Sequence, residues 1–448
     1  MEKKLRSLIF KFIYTDKLDI SHNKKIYLLN KIENKILVSL KNNKNLCWDY
    51  IKHDLLVNNF SLTKKNFSLF RALIKLKHIF HFRSFNFFFK NRNIDFIFYT
   101  HSRSIKIKNL LYDEFTDDII NLLKKKFQII SFTSPHTEYG TNLNYNNERF
   151  YLSYINFIAK LKSILGLIFN KKYIFEKNLL IKKLYRINNF KKQQEEIWFK
   201  YFNNKKPKKI VFVDKITNLP IVRAAHRMNI SVVELQHGSP SKKKFYYSNK
   251  FSIKKENSPD YYLSYGKYWK VGLTKNYYNK DFVNIGKNLS NKIPKLNKIS
   301  KNWLVLDDIY SRDLLIQKAV FIRQKYNVKV TFRIHPGKVN LSVKDYLILK
   351  KNKIKISNSV KNLIAKDLKN IKNIICNFST LSFECSHMGY NVYLLNKNFY
   401  EKELYDKIIL KKNLNNMYKI SNKQIRRLNF YEKFDEKKII HFFNKLIM

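Results

Sequence analysis

From residue 94 to residue 395 the chain repeats one arrangement. A short apolar run is closed by a polar turn, and a stretch follows in which apolar positions fall three and four residues apart. Runs of the first kind read as buried strands and the stretches between them as helices lying on a sheet. The first series places strands at 95–100, 127–132, 209–213, 231–235, 260–264 and 283–286, with helical spacing over about 148–204 and over 219–228. The second places strands at 303–306, 328–334, 353–356, 373–376 and 391–395. Its helices fall at 312–326, near 343–352, near 360–369 and at 380–388. Alternation of this kind calls for parallel sheets covered by helices on both faces. The expected fold class is therefore α/β, two such units in tandem facing a cleft.

The polar, Pro294-containing stretch 288–300 reads as the linker, which divides the chain into 91–290 and 300–400. Residues 1–90 read as a helical, very basic region. In it Leu69, Leu73, Leu76 and Phe80 keep helical spacing while Arg71, Lys75 and Lys77 fall between them. Two readings stay open for this region: a helical layer packed on the first unit, or a basic amphipathic surface for a membrane. The closing segment, 401–448, reads as helices folding back onto the first unit.

Composition narrows the function classes. At 448 residues two domains are the default, and 36 Phe and 29 Tyr supply large cores. The formal charge of +56, from 89 Lys and Arg against 33 Asp and Glu, resembles the footprint of a nucleic-acid binder. The lysines, however, are spread over the whole length, and no zinc-finger, RNP-like or basic-zipper pattern accompanies them, so nucleic acid is not the expected partner. An anionic membrane leaflet or a nucleotide donor accounts for the charge as well. Cys47, Cys376 and Cys385 have neither metal-ligand nor disulfide-framework spacing and read as reduced core residues. No run approaches the ~20 apolar residues of a spanning helix.

Three phrases at predicted strand ends carry the chemistry: Glu234-Leu-Gln-His-Gly238, Phe332-Arg-Ile-His-Pro-Gly337 and Asn377-Phe-Ser-Thr-Leu-Ser-Phe-Glu384. Open α/β sheets bind ligands at the carboxyl ends of their strands. His335, fixed by Pro336 and followed by Gly337, suits a phosphate oxygen, and Arg333 on the same strand face adds bidentate contacts. Ser379 and Thr380 begin a helix, where hydroxyls and free amides make an anion site. The alternative is an ordinary N-cap. Glu384, one turn on, is placed to meet a sugar hydroxyl. His237, at the turn made by Gly238, is the most economical general base, with Gln236 to orient it. Further strand-end groups, His101, Arg103, Gly266, Asp307 and Asp308, face the same cleft in this reading. Asp113, Asp117, Asp118 and His101 are the fallback bases. Neither a P-loop nor a dinucleotide fingerprint is present.

In order and spacing, Gln236-His237-Gly238, Arg333-x-His335-Pro336 and Ser379-Thr380…Glu384 resemble the motifs of bacterial cell-surface polysaccharide transferases with the two-Rossmann GT-B fold. The nearest patterns are those of the CDP-glycerol glycerophosphotransferases of teichoic acid synthesis. Capsule, sialyl- and Kdo transferases share the His-Pro motif and the Ser/Thr pair. The resemblance covers about 210–400 and, more loosely, 95–118. It departs from the sialyltransferases in lacking their acidic base motif, and from the teichoic type in that Cys376-Asn-Phe-Ser-Thr380 lacks an aspartate. It implies two Rossmann-like domains, a nucleotide held by Arg333, His335, Ser379 and Thr380 in the second, and an acceptor-side role for His237.

The resulting expectation is a transferase that needs neither metal nor other cofactor. It moves a sugar from a nucleotide donor, cytidine favoured, to a polysaccharide or lipid-linked glycan at the cytoplasmic face of the membrane. Two other readings stay open: a CDP-polyol phosphotransferase using the same site, and a non-catalytic binder of anionic polymer or nucleic acid.

Overall fold

The apolar runs become the strands of two sheets. The first sheet begins with β1 (Phe96–Tyr99). A two-stranded hairpin of β2 (Ser104–Ile107) and β3 (Leu110–Asp113) follows, and then β4 (Ile129–Thr133), β5 (Phe150–Tyr151), β6 (Lys209–Val213), β7 (Ser231–Leu235), β8 (Tyr261–Ser264) and β9 (Asp281–Asn284). Leaving the hairpin aside, these strands lie in the order β5-β4-β1-β6-β7-β8-β9, all parallel. The second sheet has β10 (Trp303–Leu306), β11 (Val330–Ile334), β12 (Lys355–Asn358), β13 (Asn373–Cys376), β14 (Asn391–Leu394) and β15 (Tyr418–Lys419) in the order β12-β11-β10-β13-β14-β15. Only β15 runs antiparallel there. The protein thus has the expected fold class, two Rossmann-like α/β domains.

These statements rest on a computed structural model that describes residues 50, 69–89, 93–101, 104–107, 110–134, 144–170, 174, 179–215, 218–240, 255–274, 277–290, 292–294, 296, 300–308, 311–335, 341–359, 363–377, 379–395, 407–410 and 417–447. Most of the basic region 1–90, with Cys47, lies outside the described residues, as do Arg103, Pro336 and Gly337.

Helices cover both sheets: α1 (Leu69–Ile79), α2 (Asp117–Leu123), α3 (Ser153–Ile168), α4 (Leu179–Lys205), α5 (Leu219–Arg227), α6 (Arg312–Tyr326), α7 (Val343–Lys351), α8 (Ile364–Leu368), α9 (Thr380–His387), α10 (Asn422–Arg427) and α11 (Glu436–Ile447). Successive side chains of a strand point to opposite faces, so each central strand feeds two cores. Ile97 and Tyr99 join Phe212, Val232, Trp198 and Phe202 on one side of the first sheet. Phe96 and Phe98 face the other side, where Phe443 of α11 stacks edge-on against Phe96 at 5.2 Å. Burying a phenylalanine there contributes roughly 1.5–3 kcal/mol. That second core continues through Tyr265 and Trp269 to Leu304 and Ile374 of the second sheet and Phe383 of α9, so the two domains share apolar contacts.

Three segments differ from the sequence expectation. The stretch 148–204 is not one helix but β5, α3 and α4, because Phe150 and Tyr151 pair with Phe132 and Thr133 before Ser153 starts the helix. The hairpin β2–β3 interrupts what reads as a polar loop after β1. The closing segment is not all helical, since Tyr418 and Lys419 pair with Leu394 and Tyr393 at the edge of the second sheet.

Candidate functional site

In each sheet the strand order reverses beside a central strand, β1 in the first and β10 in the second, and ligand crevices of open α/β sheets form outside such points. His101 follows β1, and His237 follows β7, two strands across the sheet. The structure brings them together: their rings stack with centroids 5.7 Å apart and planes 20° apart. Phe115, at the start of α2, sits edge-on to both, at 5.3 Å and 6.3 Å. Both histidines remain partly exposed.

Gln236 builds the turn that carries His237. It is wholly buried. Its amide nitrogen donates to the carbonyl of Gly238 at 2.8 Å, and its oxygen accepts from Ser264 Oγ at 2.8 Å and from the Tyr265 amide at 3.0 Å. Gln236 therefore ties the turn to the end of β8, whereas the sequence reading had it orient the imidazole. One residue beyond Gly238, the Ser239 amide donates to Thr380 Oγ1 of the second domain at 3.1 Å. This bond joins the His237 turn to the first residue of α9. Ser379 caps that helix without a side-chain cap bond, which leaves its hydroxyl beside the helix start.

The strand ends of the second domain are braced against one another. Asp307 accepts from Arg312 Nε at 3.1 and 3.0 Å and from the His335 amide at 3.0 Å. Asp308 accepts from the Ser311 amide and hydroxyl, each at 2.6 Å, and Asn377 Nδ2 donates to Ser311 Oγ at 2.9 Å. Asp307 and Asp308 are buried and hold the loops from β10, β11 and β13 in place. They are not cleft groups. His335 stands half-buried at the end of β11, held at its backbone by Asp307.

Two expected donor contacts have other partners. Arg333 pairs with Asp367 of α8 and donates to the Ser359 carbonyl at 3.3 Å. Burial pulls its pKa below the ordinary arginine range, with Asp367 opposing that shift. Its charge is met inside the domain, because a strand-face position just inside the sheet edge points at the covering helix. Glu384 is 2% exposed and binds Lys287 at 2.6 Å and Lys292 at 3.3 Å. It ties the domain junction, where the sequence expectation had it meet a sugar hydroxyl. Lys292 also pairs with Glu114 of the first domain. Burial alone would lower both lysines, but Glu384 and Glu114 together hold them above the ordinary lysine range. Lys287 lies over the Tyr265 ring at 4.4 Å and over Phe115 at 5.6 Å, which places this ion network under the histidine stack.

Asp113 is also buried, and its Oδ1 accepts from the Phe115 and Thr116 amides at 2.9 Å each. It shapes the turn that presents Phe115 to the histidines. Burial, with Asp117 adding to it, pushes its pKa up to about 7 against the pull of Arg149. Asp117 bonds Arg149 at 2.6 Å inside the fold, and Asp118, half-buried, accepts from the Tyr112 hydroxyl. Gly266 is a close-approach point and not a cleft residue: a Cβ there would lie 2.2 Å from the Asn429 carbonyl, where the C-terminal segment crosses. Sequence reasoning missed Glu114, Phe115, Ser239, Tyr265, Lys287 and Lys292. For Lys287 the one signal was its place just after Gly286 at a strand end. Among the described residues no three His, Cys, Asp or Glu side chains group to hold a metal ion, and no helix is long and apolar enough to cross a membrane.

No protein-family model matches the chain, and no curated protein sequence matches it. Solved structures similar to it include the UDP-GlcNAc 2-epimerase of Methanocaldococcus jannaschii in complex with UDP-GlcNAc and UDP, at 14% identity and a TM-score of 0.46 over 79% of this chain and 99% of that one. The S. aureus MnaA–UDP structure matches at 11% and 0.45, over 79% and 98%. The glycosyltransferase SnogD from Streptomyces nogalater matches at 10% and 0.39, over 80% and 94%. At these values the likeness carries no argument about chemistry.

Proposed function

We propose that the protein is a nucleotide-sugar-dependent glycosyltransferase of GT-B organisation, whose reaction centre lies between the His101–His237 stack and the start of α9. The observation that carries this reading is the Ser239–Thr380 bond. It joins the turn that carries His237 to a helix start in the second domain. Helix starts favour phosphate through free amides and the helix dipole.

In this reading the donor's diphosphate sits between His335 and the Ser379–Thr380 helix start. Fixed donors aimed at the leaving phosphate stabilise charge that develops only in the transition state. His237 takes the acceptor hydroxyl proton, and His101 with Phe115 fixes the ring that does so. Arg333 and Glu384 act one layer back, holding α8 and the domain junction. The motif resemblance favours a cytidine nucleotide and a polysaccharide or lipid-linked glycan acceptor at the inner face of the cell membrane.

The test is a kinetic split. With a donor that supports turnover, His237→Ala lowers kcat while nucleotide affinity measured by calorimetry stays at the wild-type value. Equal loss of both, or of neither, would remove His237 from the chemistry.

A further inference from the structure

Helix α3 is apolar on two faces. Ile155, Ala159, Ser163 and Leu167 form its buried stripe. Leu161, Ile164, Leu165 and Ile168 form a second stripe that is open to solvent. A helix apolar all round is ordinarily enclosed. Here the neighbouring segment 69–89 packs beside it through Phe80 on Phe157 at 6.3 Å and through Phe85 and Phe88 on Tyr154 at 6.2 Å, and adds apolar surface of its own. Phe80, Phe89 and Phe169 are 68%, 74% and 81% exposed. Soluble monomers rarely carry contiguous apolar surface on this scale without a partner.

The charge around the patch has one sign. Residues 69–92 contain six Lys or Arg and residues 150–175 contain four, and neither stretch contains an Asp or Glu. Lys77, Lys160 and Lys162 are exposed among the apolar side chains. Apolar side chains rimmed by lysines match a bilayer surface that offers acyl chains beneath negative headgroups. Two other occupants match it less well. A second copy in a twofold contact would set Lys77, Lys160 and Lys162 near their own counterparts. Residues 1–68 carry fourteen Lys or Arg against six Asp or Glu, the same sign as the patch.

We propose that the face formed by residues 73–89 and α3 docks on a membrane leaflet rich in anionic phospholipid, with the exposed phenylalanines entering the headgroup–acyl boundary. The patch reaches the cleft edge of the first sheet. α3 starts directly after the carboxyl end of β5, and the rings of His78 and His81 pack on Tyr151 there, at 5.4 and 5.3 Å. All strands of that sheet are parallel, so His101 and His237 stand at the same edge. Docking therefore brings the acceptor side of the cleft to the bilayer. The proposal deepens the membrane location in the transferase reading but stands on exposed side chains, and its test uses no donor or acceptor.

The experiment is co-sedimentation of the full chain with sucrose-loaded vesicles, either pure phosphatidylcholine or phosphatidylcholine with phosphatidylglycerol. Wild type is expected to bind the anionic vesicles and to bind the neutral ones far more weakly. The triple change Phe80→Ser, Phe89→Ser and Phe169→Ser is expected to lower the partition coefficient at least about tenfold, with circular dichroism and the melting midpoint unchanged. A separate Lys160→Glu, Lys162→Glu variant is expected to lose the preference for anionic vesicles. Equal vesicle binding by wild type and the triple variant would overturn the proposal. So would a wild-type dimer that the triple change converts to monomers, which would mean a second copy covers the face. A large fall in melting temperature on the triple change would overturn it too, because the phenylalanines would then be covered by the chain's own residues.

Discussion

His101 and His237, from the turns that follow β1 and β7, stack with ring centroids 5.7 Å apart, with Phe115 edge-on to both. The ring of His237 is thus fixed by its neighbours, as a proton acceptor must be if it is to meet a substrate hydroxyl at hydrogen-bond distance. His237→Ala is expected to lower turnover by about 10²–10⁴-fold. His101→Phe, which keeps the ring packing, is expected to retain most of the activity. Steady-state kinetics of the two variants separate a chemical from a packing role.

Glu384 is expected to matter for stability before it matters for substrate. Glu384→Gln leaves Lys287, paired at 2.6 Å and 9% exposed, buried against a neutral partner. Removing one member of a buried pair costs about 3–5 kcal/mol. Denaturant unfolding should show that loss. An unchanged midpoint with a raised KM for the donor would return Glu384 to the sugar-binding role that its sequence position suggested.

Sequence and structure part company for identifiable reasons. The strand 209–213 was legible because burial on both faces leaves the unbroken apolar run Ile210-Val-Phe-Val213, and 231–235 because Gly238 marks the turn that follows its buried valines and leucine. The hairpin β2–β3 was not, because Ser104-Ile-Lys-Ile is short and carries a charge mid-strand. His237 and His335 stood out as rare residues at strand ends. Lys287 and Lys292 did not, since among 89 basic residues a lysine, even one just after Gly286 at a strand end, carries little signal until Glu384 and Glu114 are seen beside it. Arg333 shows the limit of strand-face reasoning: alternation gives the face, but not that Asp367 waits on it.

Gly266 tests the crossing of the C-terminal segment. Its φ of −168° is ordinary extended backbone, so the requirement is space and not conformation. The Cβ of Gly266→Ala would meet the Asn429 carbonyl at 2.2 Å and Phe430 backbone atoms behind it. Overpacking of this kind costs about 1–3 kcal/mol. A calorimetric melt at wild-type temperature would mean that the segment 429–431 moves aside freely.

Asp113 predicts a pH signature. Its carboxyl titrates near 3.8 when unperturbed and is raised to about 7 by burial in the fold. Between about pH 4 and 7 the folded state therefore holds a proton that the unfolded state has released, and this group's contribution to stability falls as pH rises through that window. Three pKa units correspond to about 4 kcal/mol as an upper value. Asp113→Asn keeps an oxygen for the Phe115 and Thr116 amides and removes the titration. Its stability relative to wild type should increase by about 2–4 kcal/mol from pH 4 to pH 8. A difference that stays flat across that range would mean that Asp113 is solvated or paired in solution.

The most direct test of a transferase centre between the two domains is nucleotide binding, measured by titration calorimetry with CMP, CDP, UDP and GDP on wild type and on His335→Ala. The account predicts that wild type binds at least one of these nucleotides, cytidine nucleotides foremost. It also predicts that His335→Ala weakens that binding by about 1.5–3 kcal/mol, the range for a hydrogen bond to a charged group, at an unchanged melting temperature. Binding confined to UDP or GDP would keep the site and change the donor. No binding of any nucleotide by the folded wild-type protein, or equal affinity in a folded His335→Ala variant, would contradict the donor site and the transferase reading built on it.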